Sequence, residues 1–165
     1  MFGSLLVPVD GSDYALRALE VAARLAAPDA VMHLLHVREL LPPVHRDRLM
    51  SMEEAIQAAS IETIEAQEQA IFERARACVA EHYTGEVMTH VHHGAPARAI
   101  VHEARALEVE VIVMGSRGLS DWGGMVMGSV SHKVSHIAPC MVISVHDEQG
   151  VPVTPPDDEA PWAGL

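Results

Sequence analysis

Val109-Glu110-Val111-Ile112-Val113-Met114-Gly115-Ser116-Arg117-Gly118, followed nine residues later by Gly128-Ser129-Val130-Ser131, is the stretch on which the fold turns. Its first six residues are a short, β-branched, mostly apolar run, the pattern of a buried strand. The chain from Gly128 reads as the start of a helix. Glycines between the two let backbone approach a ligand closely and adopt positive φ. The first turn of a helix offers unpaired N–H groups and a partial positive charge. Together these features predict a phosphate site along Gly115, Gly118 and Gly128, with Ser129 and Ser131 adding hydroxyl donors. Glycines also occur in plain strand-to-helix loops, so the flanking chain has to agree.

Working outward, it does. Upstream, Gly94-Ala95-Pro96 is a turn with Pro96 suited to the first helical position. Ala97, Ile100, Val101, Ala104 and Leu107 then give a helix its buried side. Before that, Gly85 precedes a strand at 86–92, and Ser51 to about His82 holds neither Pro nor Gly and is rich in Ala, Glu and Gln. This predicts a long helix capped by Ser51, with Glu53 and Glu54 in its first turn and Ile64, Ile71, Ala75, Cys78 and His82 on one face. Residues 44–50 read as a loop or a frayed helix start. Val31–Val37 is a second strand. Ser12 reads as an N-cap for a helix that buries Leu16, Leu19, Ala22, Ala23 and Ala26 and stops at Pro28-Asp29. The first strand is Leu5-Leu6-Val7-Pro8-Val9, with Pro8 near its end for want of an N–H. Downstream, a helix from 128 to about 137 leads through Ala138-Pro139-Cys140 into a fifth strand, Met141–Val145.

The order is βαβαβαβαβ, which implies an α/β fold: an open parallel sheet with helices on both faces and right-handed crossovers. Ligands in such sheets bind beyond the carboxyl ends of strands, where strand order reverses. With order 3-2-1-4-5, strands 1 and 4 adjoin there. Asp10 ends the first and Gly115 the second, so two suspect turns face one crevice.

Composition narrows the function. The chain has 165 residues and a net charge of −12. The acidic residues gather in two places: Asp147, Glu148, Asp157, Asp158 and Glu159 in a Pro-rich tail, and seven Glu against Arg74 and Arg76 over 51–83. Phosphate-backbone contacts need clustered Lys and Arg, so no nucleic-acid partner is expected. Residues 147–165 are read as a disordered tail after a domain spanning 1–146. Cys78 and Cys140 do not make a disulfide framework and read as buried thiols of a reducing compartment. With no signal-peptide pattern and no run of membrane-spanning length, the expected location is cytoplasmic.

These residues resemble the universal stress protein family, in its ATP-binding branch. Gly-x-x-Gly, nine residues and Gly-Ser, after a strand ending Val-Met-Gly, carry the resemblance. So do Val7-Pro8-Val9-Asp10-Gly11-Ser12, Leu34-Leu35-His36-Val37, Gly94-Ala95-Pro96-Ala97-Arg98-Ala99-Ile100, and Ser131-His132-Lys133-Val134 through Ala138-Pro139-Cys140-Met141-Val142. The match covers about residues 3–146. It implies a Rossmann-like fold, of the adenine nucleotide alpha hydrolase type, with five parallel strands ordered 3-2-1-4-5. It implies ATP, with Mg²⁺ alongside, in the strand 1/strand 4 crevice, and a homodimer through the last strand, 140–146. By position, Asp10 would hydrogen-bond the adenosine moiety beside Pro8 and Val9, and Val37 would pack on adenine. Met114, Gly115 and Gly118 would line the ribose and phosphate path, and Gly128, Ser129, Val130 and Ser131 would hold phosphates. Arg117 either approaches phosphate or lies in solvent. The implied role is that of a dimeric stress-response regulator that binds ATP and an unknown protein partner with little or no turnover. The bridge 119–127 departs from the pattern: it has no Lys or Arg, and it carries Asp121 and Trp122.

Other readings are weighed on the residues. A P-loop needs Gly-Lys-Ser/Thr, and no Gly-Lys pair occurs; a dinucleotide fold needs Gly-x-Gly-x-x-Gly after the first strand. No residue is placed by sequence to activate water, so at most a slow ATPase is expected. The alternative class is an interaction module with a vestigial crevice, docking a transporter or sensor protein through its acidic helix, loop 40–51 or tail. His132 and His136 have metal-ligand spacing but read as surface histidines; His90 and His92 share a strand face and read as half-exposed edge residues. His33 and His36 point to opposite faces and form no pair.

Overall fold

The computed structural model describes residues 1–39, 53–118 and 128–146, with residues 53–62 described as helix backbone only. The loop at 40–50, the Ser51 cap with Glu53 and Glu54, the bridge with Asp121 and Trp122, and the acidic tail lie outside the residues or side chains so described.

Nine elements alternate: β1 (Phe2–Pro8), α1 (Asp13–Leu25), β2 (Ala26–Arg38), α2 (Glu53–Ala80), β3 (Glu86–His93), α3 (Pro96–Ala106), β4 (Val111–Gly115), α4 (Ser129–Ile137) and β5 (Met141–Val145). All strand pairs are parallel, in the order β3-β2-β1-β4-β5. The expected fold class and strand order are therefore observed.

The central strands β1, β2 and β4 are buried on both faces, so their inner residues read as continuous apolar runs rather than alternating ones, whereas the edge strands β3 and β5 stay partly exposed. Side chains still alternate between two cores. On one face Leu5, Val7, Met32, Leu34, Val111 and Val113 pack with Ala18, Leu19 and Ala22 of α1 and Ala75 and Val79 of α2. On the other, Leu6, Leu35, Ile112 and Met114 pack with Ala97, Ile100, Val101 and Ala104 of α3 and Val134 of α4. The alanines of α1 let that helix lie close to the sheet.

Three local expectations are corrected. Helix α1 ends at Leu25, not at Pro28-Asp29, and Ala26 is already extended (φ −67°, ψ 141°). Proline disfavours helical backbone at the residue before it, Ala27, so the helix must stop earlier. The register against β1 jumps between Phe2↔Ala26 and Ser4↔Val31. This irregular stretch takes up Pro28, which cannot donate to a ladder. On α2, His82 lies outside the buried face and is exposed; the face continues from Ala75 to Val79 and then Tyr83, whose hydroxyl donates to the Ala30 carbonyl. Four-residue steps from Ala75 reach Val79 and Tyr83, whereas Cys78 to His82 runs along the flank. Third, Cys78 and Cys140 are free but only half-buried, and burial pushes both thiols above their ordinary pKa.

Candidate functional site

The site forms where β1 and β4 end side by side. Beyond Pro8, Val9 N–H still donates to the Leu35 carbonyl (2.8 Å). The chain then turns at Gly11, whose φ of +86° suits glycine. Asp10 Oδ1 accepts from Ser12 N–H (2.9 Å), and Ser12 Oγ accepts from Ala15 N–H (3.2 Å), capping α1. Ser12 is thus a helix cap, as its sequence context predicts.

Across the reversal, β4 leaves the sheet through positions where a side chain does not fit. A Cβ on Gly115 would lie 2.7 Å from Tyr14 Cβ and 3.0 Å from the Tyr14 carbonyl carbon, so the first turn of α1 rests on bare backbone. A Cβ on Gly118 would lie 2.7 Å from Asp10 Oδ2. The two suspect turns are therefore in contact: one carboxylate oxygen of Asp10 is held by its own turn, and the other stands over Gly118.

The start of α4 is tied back to the same place. Gly128 N–H donates to the Ser116 carbonyl (2.7 Å), and Ser116 N–H donates to the Val145 carbonyl (2.8 Å). Ser131 Oγ is 2.8 Å from the Ser116 carbonyl and 3.0 Å from the Gly128 carbonyl. A hydroxyl has one hydrogen to donate, so these carbonyls share it. Ser131 is buried, and its hydroxyl fastens the two ends of the bridge rather than projecting outward.

The resulting crevice has a volume of about 140 Å³. Of the residues proposed from sequence, Pro8, Val9, Asp10, Val37, Met114, Gly115, Arg117, Gly118, Val130 and Ser131 line it; Gly128 and Ser129 do not, although they begin the helix that does. Sequence reasoning left out Ala15, Leu35, Glu39, Pro96, Ile100 and Ser116, which also line it. Alternation would have found Leu35, two residues before Val37 on the same face. Glu39 carries no such signal. The walls are apolar at Val9, Leu35, Val37, Ile100 and Met114, and Asp10, Glu39 and Arg117 are the charged residues that line the crevice. An adenine-sized ring suits the apolar part, and the glycine backbone suits a ribose–phosphate chain; this donor set fits an adenine nucleotide.

The β2 wall is braced from behind. His36 Nδ1 lies 2.8 Å from the Val9 carbonyl. Arg38 donates both Nε (2.7 Å) and Nη2 (2.6 Å) to the Glu68 carboxylate of α2. This bidentate bond holds the Glu68 carboxyl below its ordinary pKa. His33, unpaired with His36 as expected, instead meets His90 (3.0 Å). Burial and then His90 push the His33 pKa down. His132 and His136 are exposed.

Comparison with known proteins agrees with this geometry. The model of the Universal stress protein family matches residues 1–146. The chain is 34% identical to Universal stress protein YxiE of Bacillus subtilis (strain 168), over 88% of this chain and 99% of that one. The solved structure of hypothetical protein MJ0577 superposes with a TM-score of 0.70 at 22% identity, covering 91% of this chain and 99% of the other, which speaks to the fold. The universal stress protein from Archaeoglobus fulgidus in complex with dAMP superposes with a TM-score of 0.54 at 26% identity, covering 86% and 95%.

Proposed function

The chain belongs to the universal stress protein family, and from that premise we propose that it binds ATP, with Mg²⁺ accompanying the phosphates, in the β1/β4 crevice. The observation that carries this reading is the contact between Asp10 Oδ2 and the bare backbone of Gly118. It sets a hydrogen-bonding carboxylate and a side-chain-free path on the two banks of one cleft, where strand order reverses. The dAMP complex of the Archaeoglobus fulgidus relative supports an adenine nucleotide as the ligand class. Asp10 accepts from the nucleoside, Val37 covers the base, and Met114, Gly115, Gly118 and the first turn of α4 flank the ribose and phosphates. Arg117 supplies the positive charge.

In the same reading the protein is a cytoplasmic regulator that couples nucleotide occupancy to a protein partner. It pairs with a second copy through β5, an edge strand on which Met141 is 57% exposed. Among the described residues no helix is long and apolar enough to cross a membrane.

The test is to denature protein purified without added nucleotide, identify what is released, and then melt the emptied protein with and without ATP. At a hundredfold excess over Kd, binding raises stability by about 2.7 kcal/mol. No released nucleotide together with an unchanged melting temperature overturns the reading. Partner capture that survives Asp10→Ala would favour the vestigial-crevice alternative, and a monomer mass by light scattering at micromolar concentration would remove the dimer.

A further inference from the structure

A second polar cluster lies away from the crevice, where β3 ends against α3. His92 is the penultimate residue of β3, and His102 and Glu103 are neighbours on α3. His92 Nδ1 is 2.9 Å from Glu103 Oε1, and His102 Nδ1 is 3.8 Å from the same oxygen. The two rings are 5.2 Å apart between centroids. One ligand atom from each of the three residues lies within 4.8 Å of the others. The Glu103 side chain is 17% exposed, His92 31% and His102 68%, so a covered carboxylate is flanked by one anchored and one solvent-facing imidazole.

We propose that His92, His102 and Glu103 form a two-histidine, one-carboxylate site for a divalent first-row transition ion, with Zn²⁺ the best fit. Tetrahedral Zn²⁺ with nitrogen and oxygen ligands at their usual bond lengths sets neighbouring ligand atoms about 3.3 Å apart. The distances of 2.9 and 3.8 Å fall on either side of that value, and the exposed His102 ring has room to swing inward. Two imidazoles and a carboxylate are a recurrent set for such ions, and three protein ligands leave a coordination position open to water. An ordinary ion pair accounts for the His92–Glu103 bond; His102 adds a second imidazole nitrogen within 3.8 Å of the same oxygen. The site is rigid on one side because His92 is paired in register with Val37 of β2. It also shares α3 with Pro96 and Ile100 of the crevice wall. A bound ion would pin the end of β3 to that helix.

The experiment uses the full chain, free of any affinity tag and stripped of metal, titrated calorimetrically with Zn²⁺. One ion per chain is expected. His102→Ala, at an exposed helix position, and Glu103→Gln should each weaken binding by about tenfold or more, since even the loss of a supporting partner costs 10–100-fold. Far-ultraviolet circular dichroism of the His102→Ala variant should match the parent. Paired replacement of His132 and His136 should leave affinity unchanged. Absence of stoichiometric uptake overturns the proposal, as does uptake that survives both His102→Ala and Glu103→Gln or that vanishes with the His132/His136 pair.

Discussion

The two banks of the crevice are built by opposite means. The β1/β2 bank is held by side chains: Asp10 on its own turn, Ser12 capping α1, His36 on the Val9 carbonyl, and Arg38 on Glu68. The β4/α4 bank is held mainly by close backbone approach, with Gly115 under Tyr14 and Gly118 under Asp10, by backbone bonds through Ser116, and by one side-chain tie, the Ser131 hydroxyl. A bank made of separate hydrogen bonds loses stability in steps of about 1 kcal/mol as each is removed. Close backbone approach at Gly115 allows no such steps, because an added carbon there meets the backbone of α1 itself.

The sharpest way to break this contrast is Gly115→Ala. Its Cβ would meet backbone of α1, which cannot rotate aside, and overpacking of this kind costs about 1–3 kcal/mol. For a chain of this size that is a fall of roughly 2–4 °C per kcal/mol in Tm. A Gly115→Ala protein that melts with the parent would remove the distinction between the banks.

Ser12→Ala comes next. Loss of the cap should cost about 1 kcal/mol by denaturant unfolding. If it costs as much as Gly115→Ala, the β1 bank is not the graded one.

Gly118→Ala is expected to separate stability from binding. Its Cβ meets only the far end of the Asp10 side chain, which can turn away. The unliganded stability should fall by no more than about 1 kcal/mol, the loss of one hydrogen bond such as that from Ser12 N–H to Asp10. The ATP-dependent rise in Tm should shrink markedly. A full rise would show that Asp10 and Gly118 do not act together on the nucleotide.

The smallest effect is the pH dependence of the brace. Arg38 holds Glu68 below its ordinary pKa of 4.5. The stability it contributes is complete above 4.5 and is lost as pH falls below that value through the lowered pKa of the folded state. Glu68→Gln should therefore flatten the fall of Tm below pH 4.5 while hardly changing the shape of the curve near pH 7. Parallel curves for parent and variant across the acid range would remove the brace from the β1/β2 bank.

How much of this was legible beforehand depends on the range of the interaction. The Ser12 cap, Pro96 at the start of α3 and the strand runs could be read because each depends on residues within a few positions. Helix α1 ended early because the effect of Pro28 acts on the residue before it, which composition alone does not weigh. The face of α2 drifted onto His82 because Cys78 and Val79 are both apolar, and only packing against the sheet chooses between them. Glu39 was not found because nothing local distinguishes it from any other charged residue after a strand.

The sequence by itself determined the alternation of strands and helices, the family, and the two turns from which a ligand site is built. Propensity, capping and glycine spacing act along the chain, so these are written there. Only the tertiary structure decided that Asp10 Oδ2 stands on Gly118, that the Ser131 hydroxyl turns inward to fasten the bridge, and that His92 meets His102 and Glu103. Those contacts join residues that are distant in sequence. Their geometry depends on strand register and on how closely each helix lies on the sheet, quantities set by the packing of the whole core.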